Sequence, residues 1–409
     1  MDRVILHCDC NGFFASVECI DHPELKNVPM AVAGDPKNRT GIILAKNELA
    51  KAYGIKTAET VYAARRKCPE LVLVPPRHRR YQEVSRAVNQ IYLRYTDQVE
   101  PFGIDESWLD VTGSLSLLNT TGPLIADELR RLVREEIGIT ISVGVSFCKI
   151  LAKMGSDLKK PDATTVLTRD NFQERIWNLP AGDMLFAGRS TVKLLDKHGI
   201  RTIGDIARAD REDLARLMGK GGGQLWNYAN GLDDDPVQPF DRHDEVKSVG
   251  NGMTFPRDLV AAEEIRAALS MLADEVSTRM RAHGVKCQTV AVHIKDPSMK
   301  TISRQATLPN PTRLQAELTE QAMRLIRVHW RAGQPVRALT LTAANLIPEG
   351  EEAAQLSLFG EEGEKRREKL EKLEDAVYKI RSRFGPGSIQ VGAPDAVLGR
   401  ERHPDSGDK

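Results

Sequence analysis

The order of strands and helices predicted between residues 248 and 343 restricts the fold more than any other feature of the sequence. Strand-like runs occupy residues 248–253, 289–294, 301–308 and 336–343, and helical periodicity spans residues 261–283 and 313–330. In the second strand, Val290, Val292 and Ile294 recur at every second position, which is typical of a sheet with one buried face. The resulting β-α-β-β-α-β order predicts a small ferredoxin-like module.

The preceding part of the chain has a different organisation. Residues 4–158 alternate between strand and helix patterns, which predicts an α/β region. Residues 170–240 predict short helices separated by glycines, and the chain of 409 residues is long enough for about two to four domains. We therefore expect an α+β multidomain fold. The main predicted helices before residue 170 span residues 47–53, 78–95, 124–136 and 147–158.

Two adjacent acids interrupt an apolar, strand-like run at residues 100–112. Asp105 and Glu106 would point to opposite faces of a regular strand, so they can serve one site only at a bend, which Gly103 permits. Considered alone, the run fits a solvated hairpin turn and a metal site equally well. Asp9, at the end of the first predicted strand, would supply a third carboxylate if the two segments lie side by side.

Bulk composition limits the classes of function. The formal net charge is only +1, which argues weakly against a nucleic-acid-binding protein, although the charge is unevenly distributed. No apolar run approaches the length of a membrane span, and the N-terminus has no signal peptide, so we expect a cytoplasmic protein. The six cysteines are scattered without CxxC pairing, which favours reduced thiols. Local basic clusters occur at residues 65–67, 77–80, 149–153 and 159–160.

Two further segments have alternative interpretations. The run at residues 219–223 (GKGGG) lacks P-loop spacing, and an ordinary connector between helices is favoured over a phosphate grip. The run at residues 355–359 (QLSLF) places apolar side chains in an acidic segment, so it either docks on its own domain or anchors a partner. Residues 364–384 predict a charged helix. Its apolar stripe would contain Leu370, Leu373, Val377 and Ile380.

Several short motifs, taken in order, resemble those of the Y-family translesion DNA polymerases of the bacterial DNA polymerase IV (DinB-like) type. No single motif is specific, but their combination over residues 3–345 is. The matching segments are residues 7–9 (HCD), 13–18 (FFASVE), 41–45 (GIILA), 68–69 (CP), 104–106 (IDE), 109–112 (LDVT), 144–146 (GVS), 151–153 (LAK), 160–161 (KP) and 247–250 (KSVG).

The resemblance implies a right-hand polymerase architecture. Residues 1–20 and 75–168 would form an α/β palm, residues 21–74 small fingers, and residues 169–240 a helical thumb. A linker at 241–246 would lead to a ferredoxin-like little finger at 247–346 and a flexible tail at 347–409. The implied activity is error-prone, template-directed DNA synthesis without a proofreading exonuclease. A non-catalytic DNA- and clamp-binding scaffold and a nucleotidyl cyclase are the alternatives.

The resemblance also implies roles for individual residues. Asp9, Asp105 and Glu106, with the main-chain carbonyl of Cys10, would hold two Mg²⁺ ions, with Mn²⁺ as a substitute. Phe14 would be the steric gate that excludes a 2′-hydroxyl group, with Phe13 packed beside it. Lys160 and Lys51 would bind the nucleotide triphosphate. Gln355, Leu356, Leu358 and Phe359 would bind the bacterial sliding clamp.

The implied partners are primer–template DNA, deoxynucleotides and the clamp, and the chain would act as a monomer away from any membrane. Three positions depart from the family pattern. Asn11 replaces a usual aspartate, Glu48 replaces a tyrosine that faces the triphosphate, and Phe186-Ala187-Gly188 replaces a glycine-rich thumb hairpin. Either Glu48 points away from the triphosphate or nucleotide binding is organised differently, and the changed hairpin predicts the loss of one contact to the DNA backbone.

Overall fold

The computed structural model describes residues 2–35, 41–242, 245–351 and 361–389, with side chains in the last range described from residue 366 onwards. Its contacts divide the described chain into two compact units, the first up to residue 242 and the second from residue 245 onwards. In the described part of the chain, no helix is long and apolar enough to cross a membrane. All six cysteine thiols are free and buried.

The first unit contains a five-stranded sheet between two layers of helices. Its strands are β1 (Ile5–Cys10), β5 (Val99–Pro101), β6 (Glu106–Asp110), β7 (Ile141–Ser146) and β8 (Thr164–Val166), in the order β5-β6-β1-β7-β8. The layers are formed by α1 (Phe13–Asp21), α4 (His78–Tyr92), α5 (Gly122–Leu132) and α6 (Lys149–Leu158). Residues of α4 and α5 pack on the side of Leu6 and Cys8, whereas Ala152 of α6 packs with Ile5 on the opposite side.

A smaller sheet and a group of helices complete the first unit. The sheet has the order β3-β2-β4, formed by β2 (Met30–Ala33), β3 (Ile43–Lys46) and β4 (Val72–Val74), with α2 (Glu48–Ala52) and α3 (Val61–Lys67). The helical group comprises α7 (Phe172–Ile176), α8 (Arg189–Lys197), α9 (Ile203–Arg208), α10 (Arg211–Met218) and α11 (Lys220–Ala229). The alternation of strands and helices predicted for this unit is confirmed.

Some predicted boundaries in the first unit are wrong. The helix predicted from residue 147 begins at Lys149, and α5 ends at Leu132 before a wider helical turn. The glycine-rich run is not a connector, because only Gly219 lies between helices and residues 220–223 form the first turn of α11. Gly222 is needed there, since a Cβ atom would lie 2.0 Å from the carbonyl oxygen of Leu214.

The second unit has the predicted β-α-β-β-α-β order. It contains β9 (Ser248–Leu259), α12 (Ala262–Ala282), β10 (Val285–Lys295), β11 (Thr301–Thr312), α13 (Gln315–His329) and β12 (Val336–Pro348). The antiparallel sheet has the order β11-β10-β12-β9, so β12 separates the two strands that α12 connects. Residues of both helices and all four strands form one apolar core.

The predicted helix in the tail is present as α14 (Glu361–Phe384). The predicted apolar stripe does not explain its packing, because 58% of Leu373 and 37% of Ile380 are exposed. Ion pairs hold the helix instead: Arg281, whose side chain is 4% exposed, lies 2.9 Å from Glu374 and 2.8 Å from Asp375. This part of the tail is therefore docked on the second unit.

Candidate active site

Strand β1 presents two chemically different faces, as the twofold repeat of a strand requires. Leu6, Cys8 and Cys10 belong to the apolar core. Asp9, with 6% exposure, is held instead by lysines carried on α6 and in the segment that follows it. A buried carboxylate at a strand end requires cationic or hydrogen-bonding partners, so this edge of the sheet is a candidate site.

A turn brings Asp105 and Glu106 to Asp9, as the sequence predicted. Gly103 has a φ of +99°, which favours glycine, and the chain reverses between β5 and β6. The backbone N–H of Cys10 donates a 3.0 Å hydrogen bond to the carbonyl oxygen of Asp105. Glu106 is paired directly with Asp9 across the antiparallel strands. All three acids therefore lie at the same end of β1 and β6.

Helix α6 approaches the sheet unusually closely because β7 contains Gly144. A Cβ atom on Gly144 would lie 1.9 Å from the carbonyl oxygen of Ala152 and 2.5 Å from the backbone nitrogen of Ser156. The close approach places Lys153, which lies between these two residues on α6, against the acids. A small residue in the sheet thus determines the position of a charged side chain in the site.

Two lysines neutralise part of the negative charge. The Lys153 ammonium lies 2.9 Å from Glu106 and 3.3 Å from Asp9, while Lys160 lies 2.7 Å from Asp9. Asp157 contacts both ammonium groups, at 3.2 and 2.8 Å. Although burial acts to lower the pKa of both lysines, contacts with these acids raise the pKa of each above its usual value. Both lysines are therefore held in their charged form.

Asp105 lacks comparable compensation. Burial and the nearby charges of Asp9 and Glu106 raise the pKa of Asp105 to about 6. For Glu106, burial acts in the opposite direction to its neighbours, and the proximity of His7 and Lys153 lowers the pKa well below its usual range. The cluster therefore carries more negative charge than the two lysines balance, and hard carboxylate oxygens are the ligands that Mg²⁺ prefers.

The donor chemistry fits divalent cations, but the side chains do not already form a coordination shell. In the described part of the chain, no group of three or more His, Cys, Asp and Glu side chains is arranged as a metal-binding set. Lys153 and Lys160 account for this arrangement because they occupy carboxylate oxygens. The buried Oε2 atom of Glu106 lies 2.9 Å from the Lys153 ammonium, so a metal ion that binds this oxygen has to displace the lysine.

His7 is a buried member of the site that the sequence did not identify. Its side chain is fully buried, with Nε2 3.1 Å from Glu106 Oε2 and Nδ1 2.8 Å from the hydroxyl oxygen of Ser156. That hydroxyl donates to the carbonyl of Lys153, so His7 Nδ1 is the donor to Ser156. The available signal was the spacing of two residues between His7 and Asp9, which places both on one face of β1.

The adjacent phenylalanines differ in exposure and support. Phe13 is 3% exposed and belongs to the core, whereas Phe14 is partly exposed and stacks on Tyr81 at a centroid distance of 4.1 Å. The Tyr81 hydroxyl donates a 2.6 Å hydrogen bond to Glu18, which Arg77 also contacts at 2.7 Å. Phe14 therefore has a rigid backing, which the sequence did not predict.

Lys51 and Glu48 lie together on α2, and Glu48 is one of the departures from the family pattern. They form an exposed ion pair at 3.3 Å on α2, so each charge offsets the other. No contact joins Lys51 to the three acids within the described residues. A cleft of about 330 Å³ lies beside it, lined in part by Asn11, Lys46, Glu48 and Pro161.

Asn11 has a structural role in place of the usual aspartate. Its side-chain carbonyl accepts hydrogen bonds from Thr140 at 3.0 Å and from the backbone of Asp162 at 2.9 Å, and its amide donates to Ser142 at 2.9 Å. These bonds tie the end of β1 to the segment after Lys160. The other departure, Phe186, has a φ of +70° and is 64% exposed. The proposed clamp-binding residues Gln355, Leu356, Leu358 and Phe359 lie outside the described residues.

Comparisons with known proteins show the family of the chain. The model of the impB/mucB/samB family matches residues 8–157, and that of its C-terminal domain matches residues 246–358. DNA polymerase IV of Acetivibrio thermocellus is 46% identical over 392 residues, which cover 96% of this chain and 97% of the relative. DNA polymerase IV 1 of Bacillus subtilis is 37% identical, covering 96% and 93% of the two chains.

The fold is similar to that of a solved Y-family DNA polymerase, a chimera of Dbh and Dpo4. The TM-score is 0.74 at 22% sequence identity, covering 85% of this chain and all of the chimera. This likeness supports the predicted architecture, and the high-coverage relatives identify the family. The chain therefore belongs to the impB/mucB/samB family and is a Y-family DNA polymerase of the DNA polymerase IV type.

Proposed function

We propose that this polymerase carries out translesion nucleotidyl transfer at the edge of the sheet where Asp9, Asp105 and Glu106 meet. The supporting observation is the pairing of Asp9 with Glu106 on adjacent strands, next to an Asp105 whose pKa is raised by burial and by both of these charges. The Cys10 main-chain carbonyl is a further candidate ligand. A non-catalytic scaffold is not favoured, because all three acids are present and converge.

Y-family polymerases depend on divalent metal ions, and we propose that this site takes two Mg²⁺ ions, with Mn²⁺ as a substitute. Bound ions of this kind activate the primer 3′-hydroxyl and neutralise the triphosphate. The protein contributes the carboxylates. When no ion is bound, the ammonium groups of Lys153 and Lys160 offset part of their negative charge. Because Lys160 lies beside Asp9, it is suited to move from that carboxylate to a triphosphate oxygen.

Sugar selection is assigned to Phe14. Its ring is partly exposed beside the acids' strand, and stacking on Tyr81 keeps it from yielding to a 2′-hydroxyl group. Phe13 fixes the backbone by packing in the core. Lys51 is a weaker candidate for the triphosphate, since Glu48 already offsets its charge.

We propose the domain roles in the same terms. Residues 1–20 and 75–168 form the palm, 21–74 the fingers, 169–240 the thumb, 241–246 the linker and 247–346 the little finger. The tail from residue 347 carries the clamp-binding peptide at 355–359. The chain is proposed to act as a cytoplasmic monomer on primer–template DNA with deoxynucleotides, without proofreading.

The metal assignment is tested by primer extension with Mg²⁺. Glu106→Ala removes a carboxylate that we assign to the ions, and we expect extension to fall by at least about 100-fold. Asp110→Asn is the matched control, because the Asp110 side chain accepts hydrogen bonds from the backbone and hydroxyl of Thr112. Wild-type extension by Glu106→Ala would refute the assignment.

The gate is tested by ribonucleotide incorporation. Phe14→Ala opens space beside Tyr81, so we expect the preference for deoxynucleotides over ribonucleotides to fall by at least about tenfold. Phe102→Ala, which alters an aromatic residue packed on Trp108 instead, is the control. An unchanged preference in Phe14→Ala would overturn the gate assignment.

The clamp assignment is tested separately. Deletion of residues 355–359 should abolish stimulation by a bacterial sliding clamp and leave basal extension intact. Stimulation that survives the deletion would refute this assignment without affecting the metal site.

A further inference from the structure

Helix α14 has an acidic inner face that is matched by basic residues of the second unit. Glu374 and Asp375 both contact Arg281, and Glu371 lies 3.3 Å from Lys286. Successive residues of an α-helix are separated by about 100°, so residues 371, 374 and 375 share one side. Most of the acidic side chains described in α14 therefore form ion pairs with the rest of the second unit.

The basic residues that face inward are paired as well. Arg367 lies 3.2 Å from Glu317 of α13, and Arg381 lies 2.9 Å from Asp274 of α12. These pairs lie towards opposite ends of the acidic group and extend the docking contact along the helix. The orientation of α14 about its own axis is consequently well determined.

The opposite face of α14 is basic and partly apolar. Among the side chains from residue 366 to 384, Glu368 is the only exposed acid, and Leu373 and Phe384 are 58% and 66% exposed. The exposed basic residues are Arg366, Lys369, Lys372, Lys379 and Arg383. None of these five has an ion-pair partner within the described residues. We name them, with Leu373, Ile380 and Phe384, the outer face.

A face that serves only solubility usually mixes charges of both signs. Here the charges are segregated, and basic residues extend along about 25 Å of helix from Arg366 to Arg383. A row of positive charges is complementary to a polyanion. DNA, the substrate of this polymerase, is a polyanion. Phosphate contacts by lysine and arginine are the main source of affinity for nucleic acids.

The apolar residues of the outer face favour single-stranded DNA over duplex DNA as the ligand. A duplex presents a phosphate backbone with its bases stacked inside, whereas an unpaired strand offers bases to aromatic side chains. The Arg383 guanidinium lies 5.2 Å from the centroid of the exposed Phe384 ring, so the two can contact a base together. We propose that the outer face binds single-stranded DNA, with the unpaired template strand as its ligand.

The proposal is tested on the full chain with a fluorescent single-stranded oligothymidylate, by anisotropy at several salt concentrations. Lys369→Gln, Lys372→Gln and Lys379→Gln are combined in one variant. If all three lysines contact phosphates, the salt slope becomes less steep by roughly 2 and affinity near 0.1 M salt falls about 100-fold. These side chains are exposed, so thermal unfolding should match the wild type.

The control variant combines Arg324→Gln, Arg327→Gln and Arg331→Gln, three exposed basic residues on and just after α13. It removes the same charge from another surface of the same unit. Equal losses in both variants, or no loss in the α14 variant, would overturn the proposal. Because the outer face and the three acids belong to different units of the chain, neither result bears on the metal assignment.

Phe384→Ala tests the preference for unpaired bases. It keeps every charge, and we expect a loss of about fivefold or more for the single strand and little change for a duplex of equal length. Equal losses for the two ligands would overturn the single-strand assignment. Wild-type affinity for the single strand would overturn the role of Phe384.

Discussion

Gly144→Ala is the substitution that most directly connects the fold to the site. The added Cβ atom would lie 1.9 Å from the carbonyl oxygen of Ala152 and 2.5 Å from the nitrogen of Ser156. Both atoms belong to the backbone of α6, so no side-chain rotation relieves the clash. We therefore expect the helix to move away from β7.

The size of that movement follows from the contact distances. Cβ atoms essentially never approach other atoms within 3.0 Å, so α6 must shift by about 1 Å or more. Overpacking of this kind costs roughly 1–3 kcal/mol, which corresponds to a fall in melting temperature of about 2–12 °C for a unit of this size. Lys153 moves with the helix, and a misplacement of about 1 Å in an active site can reduce the rate about 100-fold.

Thermal unfolding and single-nucleotide incorporation measure the two effects. Gly113→Ala is the control, because a Cβ atom there has no neighbour within 4 Å and its backbone does not need glycine. We expect Gly113→Ala to match the wild type. Wild-type stability and turnover in Gly144→Ala would refute the argument that this glycine determines the position of α6.

Two further predictions concern stability. The Asp205 side chain accepts backbone N–H bonds from Arg201 and Thr202, which lower the pKa of Asp205 to about 2. The carboxylate therefore stabilises the fold above about pH 4, and this contribution is lost as the pH falls towards 2. Asp205→Asn should cost about 1 kcal/mol at pH 7 in urea unfolding, and a difference that did not shrink at pH 3 would contradict this. Glu374→Gln combined with Asp375→Asn leaves the buried Arg281 without its two acidic partners and should destabilise the second unit by about 3 kcal/mol. In calorimetry, a cost no larger than that of the exposed control Glu320→Gln would show that α14 is not held by these pairs.

Local patterns in the sequence predicted much of the fold. Alternation in β10 and the order of elements between residues 248 and 348 follow directly from hydrophobic periodicity. The glycine-rich run was misjudged because its helical state depends on packing against Leu214, which periodicity does not report. Similarly, the orientation of α14 is set by charges on α12 and α13, so its own apolar spacing was a poor guide.

The acids of the site were identifiable because each lies at a strand end or a turn. The supporting residues were not, because His7 and Tyr81 acquire their roles only through contacts with distant parts of the chain, and Asp157 acquires its role by contacting the two lysines of the site. The structure was also needed to show that Glu48 pairs with Lys51, three residues further along α2. The missing information was which side chains contact each other, and not residue type.

Counting bound Mn²⁺ by electron paramagnetic resonance tests the central claim most directly. The sample is the full chain with primer–template DNA and a non-hydrolysable deoxynucleotide analogue. We predict about two ions per wild-type chain, as a two-metal site requires, the same number for Asp110→Asn, and the loss of at least one ion in Asp105→Asn. Undiminished Mn²⁺ binding by Asp105→Asn would contradict the assignment of Asp9, Asp105 and Glu106 as the metal-binding acids.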